Sequence, residues 1–120
     1  MDFQTAVRTV LLNNYANFSG RAQRSQYWWF ALFSFIVSAI LSVIDTAIFG
    51  ADIGVLAALW SLAVLIPSLA VGVRRLHDID RSGWWLLIGL VPLIGFLVLI
   101  YWFIQRGTDG PNQYGNDPLA

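Results

Sequence analysis

A short charged segment between two long apolar runs constrains the fold of this chain most. The segment extends from Arg74 to Trp85 and contains three arginines, two aspartates and the only histidine. An uncharged, largely apolar run at residues 53–73 precedes the segment. A second such run covers residues 84–104 and begins with the last two residues of the segment. Because charged side chains are costly in hydrocarbon, the segment is predicted to surface between two membrane spans.

The composition predicts one all-α, polytopic membrane domain over residues 1–120. The chain is 58% hydrophobic and 12% charged, whereas soluble domains carry roughly 25% charged residues. Its formal net charge of zero gives no reason to expect nucleic acid as a partner. The absence of cysteine excludes disulfides, thiolate metal sites and cysteine nucleophiles.

Three transmembrane helices are predicted from the apolar runs. A run of 21 residues makes about 31 Å of helix, which matches a hydrocarbon core of about 30 Å. Tyr27, Trp28 and Trp29 suit the headgroup level at the start of the first span. The predicted spans cover approximately residues 27–46, 53–73 and 84–104, with a short outer loop at 45–52.

Proline and glycine predict irregularities in the second and third spans. Pro67 is expected to kink the second span, and Gly89, Pro92 and Gly95 predict a bend in the third. Residues 105–120 are rich in turn-forming residues. We expect this segment to be a tail that is either folded back or flexible.

The first residues predict a short amphipathic helix over 2–13. Its apolar positions follow helical spacing and are Phe3, Ala6, Val7, Val10 and Leu11. Such a helix is expected to lie in the membrane interface. Packing of the same face against the helical bundle is an equal alternative.

The arginine distribution predicts the orientation of the protein. Arg8, Arg21 and Arg24 precede the first span, and three more arginines lie in the segment after the second span. With three spans these two regions share one side, where six arginines oppose Arg106 on the other. Positive residues favour the cytoplasm, so the N-terminus is predicted to be cytoplasmic and the C-terminus periplasmic.

We therefore expect the two arginine-rich regions to meet in one layer at the cytoplasmic interface. Asp78 and Asp80 are predicted to pair with Arg81 or Arg21. The candidate functional residues of this layer are Arg21, Arg24, Arg74, Arg75, His77, Asp78 and Arg81.

Three hypotheses compete for this layer. It stabilises the bundle, or its arginines and the following helix N-terminus bind an anionic phospholipid headgroup or a protein partner. The third is metal binding or general-base chemistry by His77, Asp78 and Asp80. A single histidine is a poor metal site, and His77 and Asp78 point apart on regular backbone. We therefore expect no enzymatic activity, no metal and no cofactor.

A subunit of a small-molecule transporter or oligomeric channel is the alternative function. The interrupted second and third spans favour it, whereas the lack of charge within the spans weighs against it. Ser34, Ser38 and Ser42 form a small-residue stripe suited to close helix packing. The lipid bilayer is the expected environment, and self-association into a homo-oligomer is predicted.

Three motifs along the chain carry a family resemblance. They are Phe18-Ser19-Gly20-Arg21 with Arg24 and Tyr27-Trp28, then Arg74-Arg75-Leu76-His77-Asp78 with Arg81-Ser82-Gly83-Trp84-Trp85, and finally Gly107-Thr108, Gly110, Asn112, Tyr114-Gly115 and Asp117-Pro118. The motifs resemble the domain of unknown function 805 family, small bacterial inner-membrane proteins without an established activity. The resemblance implies a bacterial inner-membrane location and brings no catalytic residues. Asp80 departs from the family pattern, in which glycine is frequent.

Overall fold

A computed structural model describes residues 2–50 and 54–119, and within these ranges the regular structure is helical. Helix α1 continues into one π-helical segment at Thr9–Asn13, and a 3₁₀ helix at Gly83–Leu90 precedes the last α-helix. The α-helices are α1 (Phe3–Arg8), α2 (Arg24–Phe49), α3 (Val55–Asp78) and α4 (Ile94–Ile104).

Two antiparallel helices, α2 and α3, form the body of the fold. With 26 and 24 residues and a mean hydropathy of 2.2 in each best window, both are long and apolar enough to cross a membrane. Many of their apolar side chains face outward, including Phe35, Val43 and Leu62, each about 70% exposed. An apolar exterior of this extent is typical of a surface that faces lipid or other protein, not water.

Both long helices extend beyond the predicted spans. Arg74, Arg75, His77 and Asp78, predicted to lie in a loop, instead form the last turns of α3. The helix continues through them because their charged groups find partners inside the protein, as described below. The predicted start of the second span at Ile53 lies outside the described residues.

Asp45 also lies in a helix, not in the predicted outer loop. It belongs to α2 and is only 2% exposed. Its carboxylate accepts hydrogen bonds from the backbone N–H groups of Leu56 at 2.8 Å and Ala57 at 3.0 Å. Asp45 therefore caps the N-terminus of α3, where a negative charge also complements the helix dipole.

The continuous helix predicted over residues 84–104 is wrong. The chain forms the 3₁₀ helix, reverses at Val91–Leu93 and returns as α4. Pro92 has no N–H to continue a helix, and Leu93 adopts a positive φ of 64°. A Cβ at Gly95 would collide with the carbonyl oxygen of Ile88, so the close approach of the two arms requires glycine there. The predicted bend is in fact a reversal.

Residues 83–104 thus form a helical hairpin that returns to the end of the bundle where it began. Each arm is about 16 Å long, roughly half of a hydrocarbon core. The rings of Trp85 and Trp102, near the two open ends, lie 5.7 Å apart. A Cβ at Gly72 would lie 3.3 Å from the Leu86 side chain, which shows how closely the first arm packs on α3. The prediction of a periplasmic C-terminus depended on a continuous third helix, and this hairpin takes the place of that helix.

The N-terminal segment packs part of its apolar face against the bundle, as the second of the two alternatives predicts. Ala6 and Val10 are fully buried. Val10 belongs to the hydrophobic core with Phe30 of α2 and Val64 of α3. The ring of Phe3 contacts the ring of Trp29 at 5.6 Å.

Candidate functional site

The candidate site is centred on the carboxylate of Asp78, in the last turn of α3 and only 2% exposed. Its Oδ1 accepts a hydrogen bond from Nε of Arg21 at 3.0 Å, and its Oδ2 accepts one from Nη1 of Arg75 at 2.9 Å. The predicted meeting of the first arginine-rich region with the second is confirmed by the Arg21 contact. We refer to Arg21, Arg74, Arg75 and Asp78 as the arginine cluster.

Arg21 also holds the tail, residues 105–119. Its Nη1 donates to the carbonyl oxygen of Gly110 at 2.7 Å, and its Nη2 donates to that of Thr108 at 2.6 Å. The backbone N–H of Thr108 donates to the carbonyl oxygen of Asp78 at 2.7 Å. The tail is therefore folded back over the arginine cluster, one of the two predicted possibilities.

Arg75 secures the end of α4. Its Nε donates to the carbonyl oxygen of Phe103 at 3.1 Å, and its Nη2 donates to that of Gln105. The indole Nε1 of Trp28 donates to the same Phe103 oxygen at 3.1 Å. Carbonyls at a helix C-terminus lack partners within the helix and carry partial negative charge. A guanidinium is thus a favourable partner for this end.

Among the described residues, Arg74 has no carboxylate partner. Its Nε donates to the carbonyl oxygen of Asn17 at 3.1 Å, and its Nη1 donates to Oε1 of Gln26. Its Nη2 is buried and has no hydrogen-bond partner among the described residues. Its own carbonyl oxygen accepts from the N–H of Ala22 at 3.0 Å, so Arg74 fixes the connection between α1 and α2.

His77 is directed away from the carboxylate of Asp78. Its Nδ1 lies 2.9 Å from the carbonyl oxygen of Gly20, an acceptor that requires the proton to be on Nδ1. Its ring stacks on that of Tyr114 with 4.0 Å between centroids. Within residues 2–50 and 54–119, no three His, Asp or Glu side chains are arranged to hold a metal ion. His77 is therefore part of the contact between α3 and the tail.

The remaining predicted site residues, Arg24 and Arg81, are exposed at the rim of the cluster. Nη1 of Arg24 donates to the carbonyl oxygen of Ile104 at 3.3 Å. The guanidinium of Arg81 lies over the ring of Trp102, 4.4 Å from its centroid. Asp80 does not pair with an arginine; its Oδ1 accepts from Nε2 of Gln113 at 3.2 Å.

Asp117 forms hydrogen bonds within the tail. Its Oδ1 accepts from the N–H of Leu119 and its Oδ2 from the N–H of Gly110, both at 2.9 Å. Hydrogen bonds from Leu119 and then from Gly110 hold the pKa of this carboxyl below its usual value, because they favour the ionised form. The Gly110 carbonyl that binds Arg21 is thereby fixed in position.

The family described as "Protein of unknown function (DUF805)" matches residues 15–116. This chain belongs to the DUF805 family. Inner membrane protein YhaI of Escherichia coli (strain K12) is 52% identical over 108 residues, covering 90% of this chain and 91% of the relative. Inner membrane protein YhaH of the same strain is 42% identical over 112 residues, covering 90% and 92%. No solved structure matches this chain.

The DUF805 match contains the whole arginine cluster and almost all of the tail, whereas α1 lies outside it. The region shared with the family is therefore the region in which α2, α3, the hairpin and the tail are joined. The family assignment agrees with the resemblance of the three motifs.

Sequence reasoning missed three contributors to the DUF805 site: the tail carbonyls, Trp28 and Gln26. Three guanidiniums in the cluster present many more N–H donors than the single carboxylate of Asp78 can accept. Because buried donors require partners, this imbalance is the signal that backbone carbonyls had to join the cluster. It could not indicate which part of the chain supplies them.

Proposed function

We propose that this protein is a two-span inner-membrane protein without enzymatic activity, whose cytoplasmic end binds anionic phospholipid headgroups. The observation that carries the proposal is the excess of arginine at this end of the bundle, around a cluster in which Arg21 and Arg75 bind the single carboxylate of Asp78. The cluster joins the hairpin and the tail to α2 and α3, and it leaves positive charge in excess at this end.

The membrane location is supported by two independent features. The relatives YhaI and YhaH bear the name inner membrane protein. In this chain, α2 and α3 have the length and hydropathy required for a crossing. Two crossings bring the end of α3 back to the side on which α2 begins.

The orientation is supported by the arginines at the end of the bundle where α3 ends. Six of the seven arginines of the chain belong to this end: Arg21, Arg24, Arg74, Arg75, Arg81 and Arg106. Arginine-rich ends face the cytoplasm. Because Arg21 binds the tail at Thr108 and Gly110, the C-terminal tail is assigned to the cytoplasm as well.

Charge favours an anionic lipid as the ligand. This end contains six arginines and four aspartates, so the net charge of these side chains is positive. The aspartates are Asp78, Asp80, Asp109 and Asp117. The cytoplasmic leaflet carries a negative surface potential, and each basic residue near it contributes about 1 kcal/mol of attraction. Zwitterionic lipids would gain much less from this end.

The absence of catalysis is supported by how the reactive groups are used. Both oxygens of Asp78 accept hydrogen bonds from guanidiniums, so this carboxylate is not available to orient His77. The Nδ1 proton of His77 is committed to a backbone carbonyl. A general base needs an oriented partner and access to substrate, and these contacts provide a structural role instead.

Native mass spectrometry of the purified protein tests the proposal. The protein would be released from nanodiscs that contain equal amounts of phosphatidylglycerol and phosphatidylcholine. We expect preferential retention of phosphatidylglycerol, weakened by salt because the attraction is electrostatic. Equal retention of both lipids at low salt would contradict the proposal.

The hairpin favours a subunit of an oligomeric channel or transporter as the second candidate. Its turn at Val91–Leu93 lies about 16 Å from the charged end, near the middle of a bilayer. Irregular backbone at that depth requires cover by protein or a water-filled cavity, which a homo-oligomer would provide. Ion or solute flux into liposomes, together with an oligomer in light scattering, would support this function, and a monomer without flux would exclude it.

A further inference from the structure

We infer that the cleft between Arg81 and Arg106 is the binding site for the phosphate group of an anionic phospholipid. This inference rests on the proposed function and assigns it to particular residues. Of the candidate residues predicted from sequence, only Arg81 belongs to this cleft. The cleft is bounded by Arg81, Tyr101, Trp102, Gln105, Arg106 and Thr108.

The arginines of the cluster are not available to a lipid. Arg74 and Arg75 are 3% and 0% exposed, and Arg21 donates to Asp78 and to tail carbonyls. A phosphate could reach them only if the contacts that bury them were broken. A headgroup site must therefore use arginines at the rim.

Arg81 is positioned by its contact with Trp102 but keeps its donors. Its guanidinium carbon lies 4.4 Å from the centre of the indole ring. A cation–π contact uses the face of the guanidinium and leaves its N–H edges free to bind an anion. Among the described residues, no protein group accepts a hydrogen bond from these N–H groups. The second ring, Trp85, supports Trp102 from the side at 5.7 Å.

Arg106 supplies the second positive charge. Its Nη2 lies 3.3 Å from Oδ1 of Asp109, and the two side chains are 66% and 83% exposed. An ion pair with this exposure contributes little, about 0–1 kcal/mol. A phosphate can therefore replace Asp109 as its partner at small cost. The guanidinium forks of two arginines match the oxygens of a phosphate in geometry and charge.

The cleft has the depth and the size expected for a lipid headgroup. Tyr101 and Trp102 lie in the last turn of α4, and such aromatic residues favour the level of the headgroups. The volume is about 290 Å³, at the lower limit of the roughly 300–1,000 Å³ typical of ligand pockets. Tyr101 and Ile104 are 59% and 51% exposed and continue the cleft into an apolar surface suited to an acyl chain. This surface favours a phospholipid over free phosphate.

The arginine cluster holds the floor of the cleft in place. The carbonyl oxygen of Gln105 accepts from Arg75, and that of Thr108 accepts from Arg21. Both residues also line the cleft. A binding site fixed before the ligand arrives loses less entropy on binding, so the cluster would increase lipid affinity without touching the lipid.

The test compares variants in the nanodisc and native mass spectrometry experiment described above. Arg81→Gln and Arg106→Gln are each expected to reduce the preference for phosphatidylglycerol about tenfold, the typical effect of one hydrogen bond to a charged group. The double variant is expected to abolish the preference. Arg8→Gln removes the same charge from an exposed arginine outside the cleft, and this variant should keep the preference for phosphatidylglycerol. Because all three side chains are exposed, the thermal unfolding midpoint should not change.

Each alternative outcome has a distinct meaning. If the double variant keeps the wild-type preference for phosphatidylglycerol, the cleft is not the binding site, whereas the proposed function stands. No preference in the wild type would overturn both. Addition of millimolar inorganic phosphate should not displace phosphatidylglycerol. If phosphate displaces the lipid and also binds saturably to the detergent-solubilised protein, the cleft is a site for free phosphate.

Discussion

Arg21 and Asp78 lie 57 residues apart in sequence and form a buried ion pair, with 3.0 Å between Nε and Oδ1. The pair connects the segment before α2 to the last turn of α3. Arg21 also binds the tail, and Asp78 also binds Arg75, which holds the end of α4. The pair is therefore the point at which the segment before α2, α3, α4 and the tail are held together.

Loss of the Asp78 charge should destabilise the whole protein. In Asp78→Asn, Arg21 and Arg75 would remain buried without a negative partner, which typically costs about 3–5 kcal/mol. We expect the thermal unfolding midpoint in detergent, followed by circular dichroism, to fall by about 10 °C or more. Asp80→Asn is the matched control, since Asp80 is exposed and its side chain accepts a hydrogen bond from Gln113 alone among the described residues. A similar loss in both variants would show that Asp78 has no special role.

The geometry of Arg21 should matter as much as its charge. Lysine keeps the charge in Arg21→Lys but cannot reach Asp78, Thr108 and Gly110 together, because it lacks the planar fork. We expect the tail to be digested at least several-fold faster by carboxypeptidase. Arg24→Lys, at an exposed arginine with one backbone hydrogen bond, should digest at the wild-type rate. Equal rates for all three proteins would refute the contact between Arg21 and the tail.

Gly107 should tolerate no side chain. A Cβ at this position would collide with the carboxylate of Asp78, so Gly107→Ala must displace either the tail or the buried ion pair. We expect a loss of about 1–3 kcal/mol in the free energy of unfolding, the usual cost of overpacking. Gly54→Ala is the control, because the nearest atom to its Cβ would be 4.0 Å away. A neutral Gly107→Ala variant would mean that the tail does not lie on Asp78.

The tail should loosen at low pH through Asp117. The folded-state pKa of this carboxyl is lower than the unfolded value of about 3.8. Its stabilisation is therefore fully present above that value and is lost as the pH falls through the folded-state pKa. We expect amide exchange at Gly110 and Leu119 to accelerate on acidification beyond its intrinsic pH dependence. In Asp117→Asn this additional acceleration should be absent; its persistence would assign the effect to another group.

Hydropathy and arginine placement were sufficient to predict the two long helices and the contact between Arg21 and the end of the second span. Both predictions depend on properties that act locally: apolar length, and charge on one side of a span. The position of Arg74–Asp78 within α3 was not predicted. A hydropathy scale scores each charged residue as unfavourable in a span, whether or not the folded protein gives it a partner. Here the partners of these charged side chains come from residues 21, 26, 103 and 105.

The hairpin shows why one continuous helix over residues 84–104 was predicted incorrectly. Residues 84–104 are long and apolar enough for a crossing, and Gly89, Pro92 and Gly95 indicated only a bend. A bend becomes a reversal when the returning arm gains contacts at the charged end. Those contacts are the carbonyls of Phe103 and Gln105 with Arg75, and backbone acceptors leave no mark in a sequence pattern.

The most direct test of this account is the side of the membrane on which the tail lies. The chain has no cysteine, so Ser19→Cys, Phe49→Cys and Asn116→Cys each introduce a single thiol at an exposed position. With a membrane-impermeant maleimide on intact spheroplasts, we predict labelling of position 49 alone, and labelling of positions 19 and 116 only after lysis. Labelling of position 116 in intact spheroplasts, with position 19 protected, would show a third crossing and contradict the account.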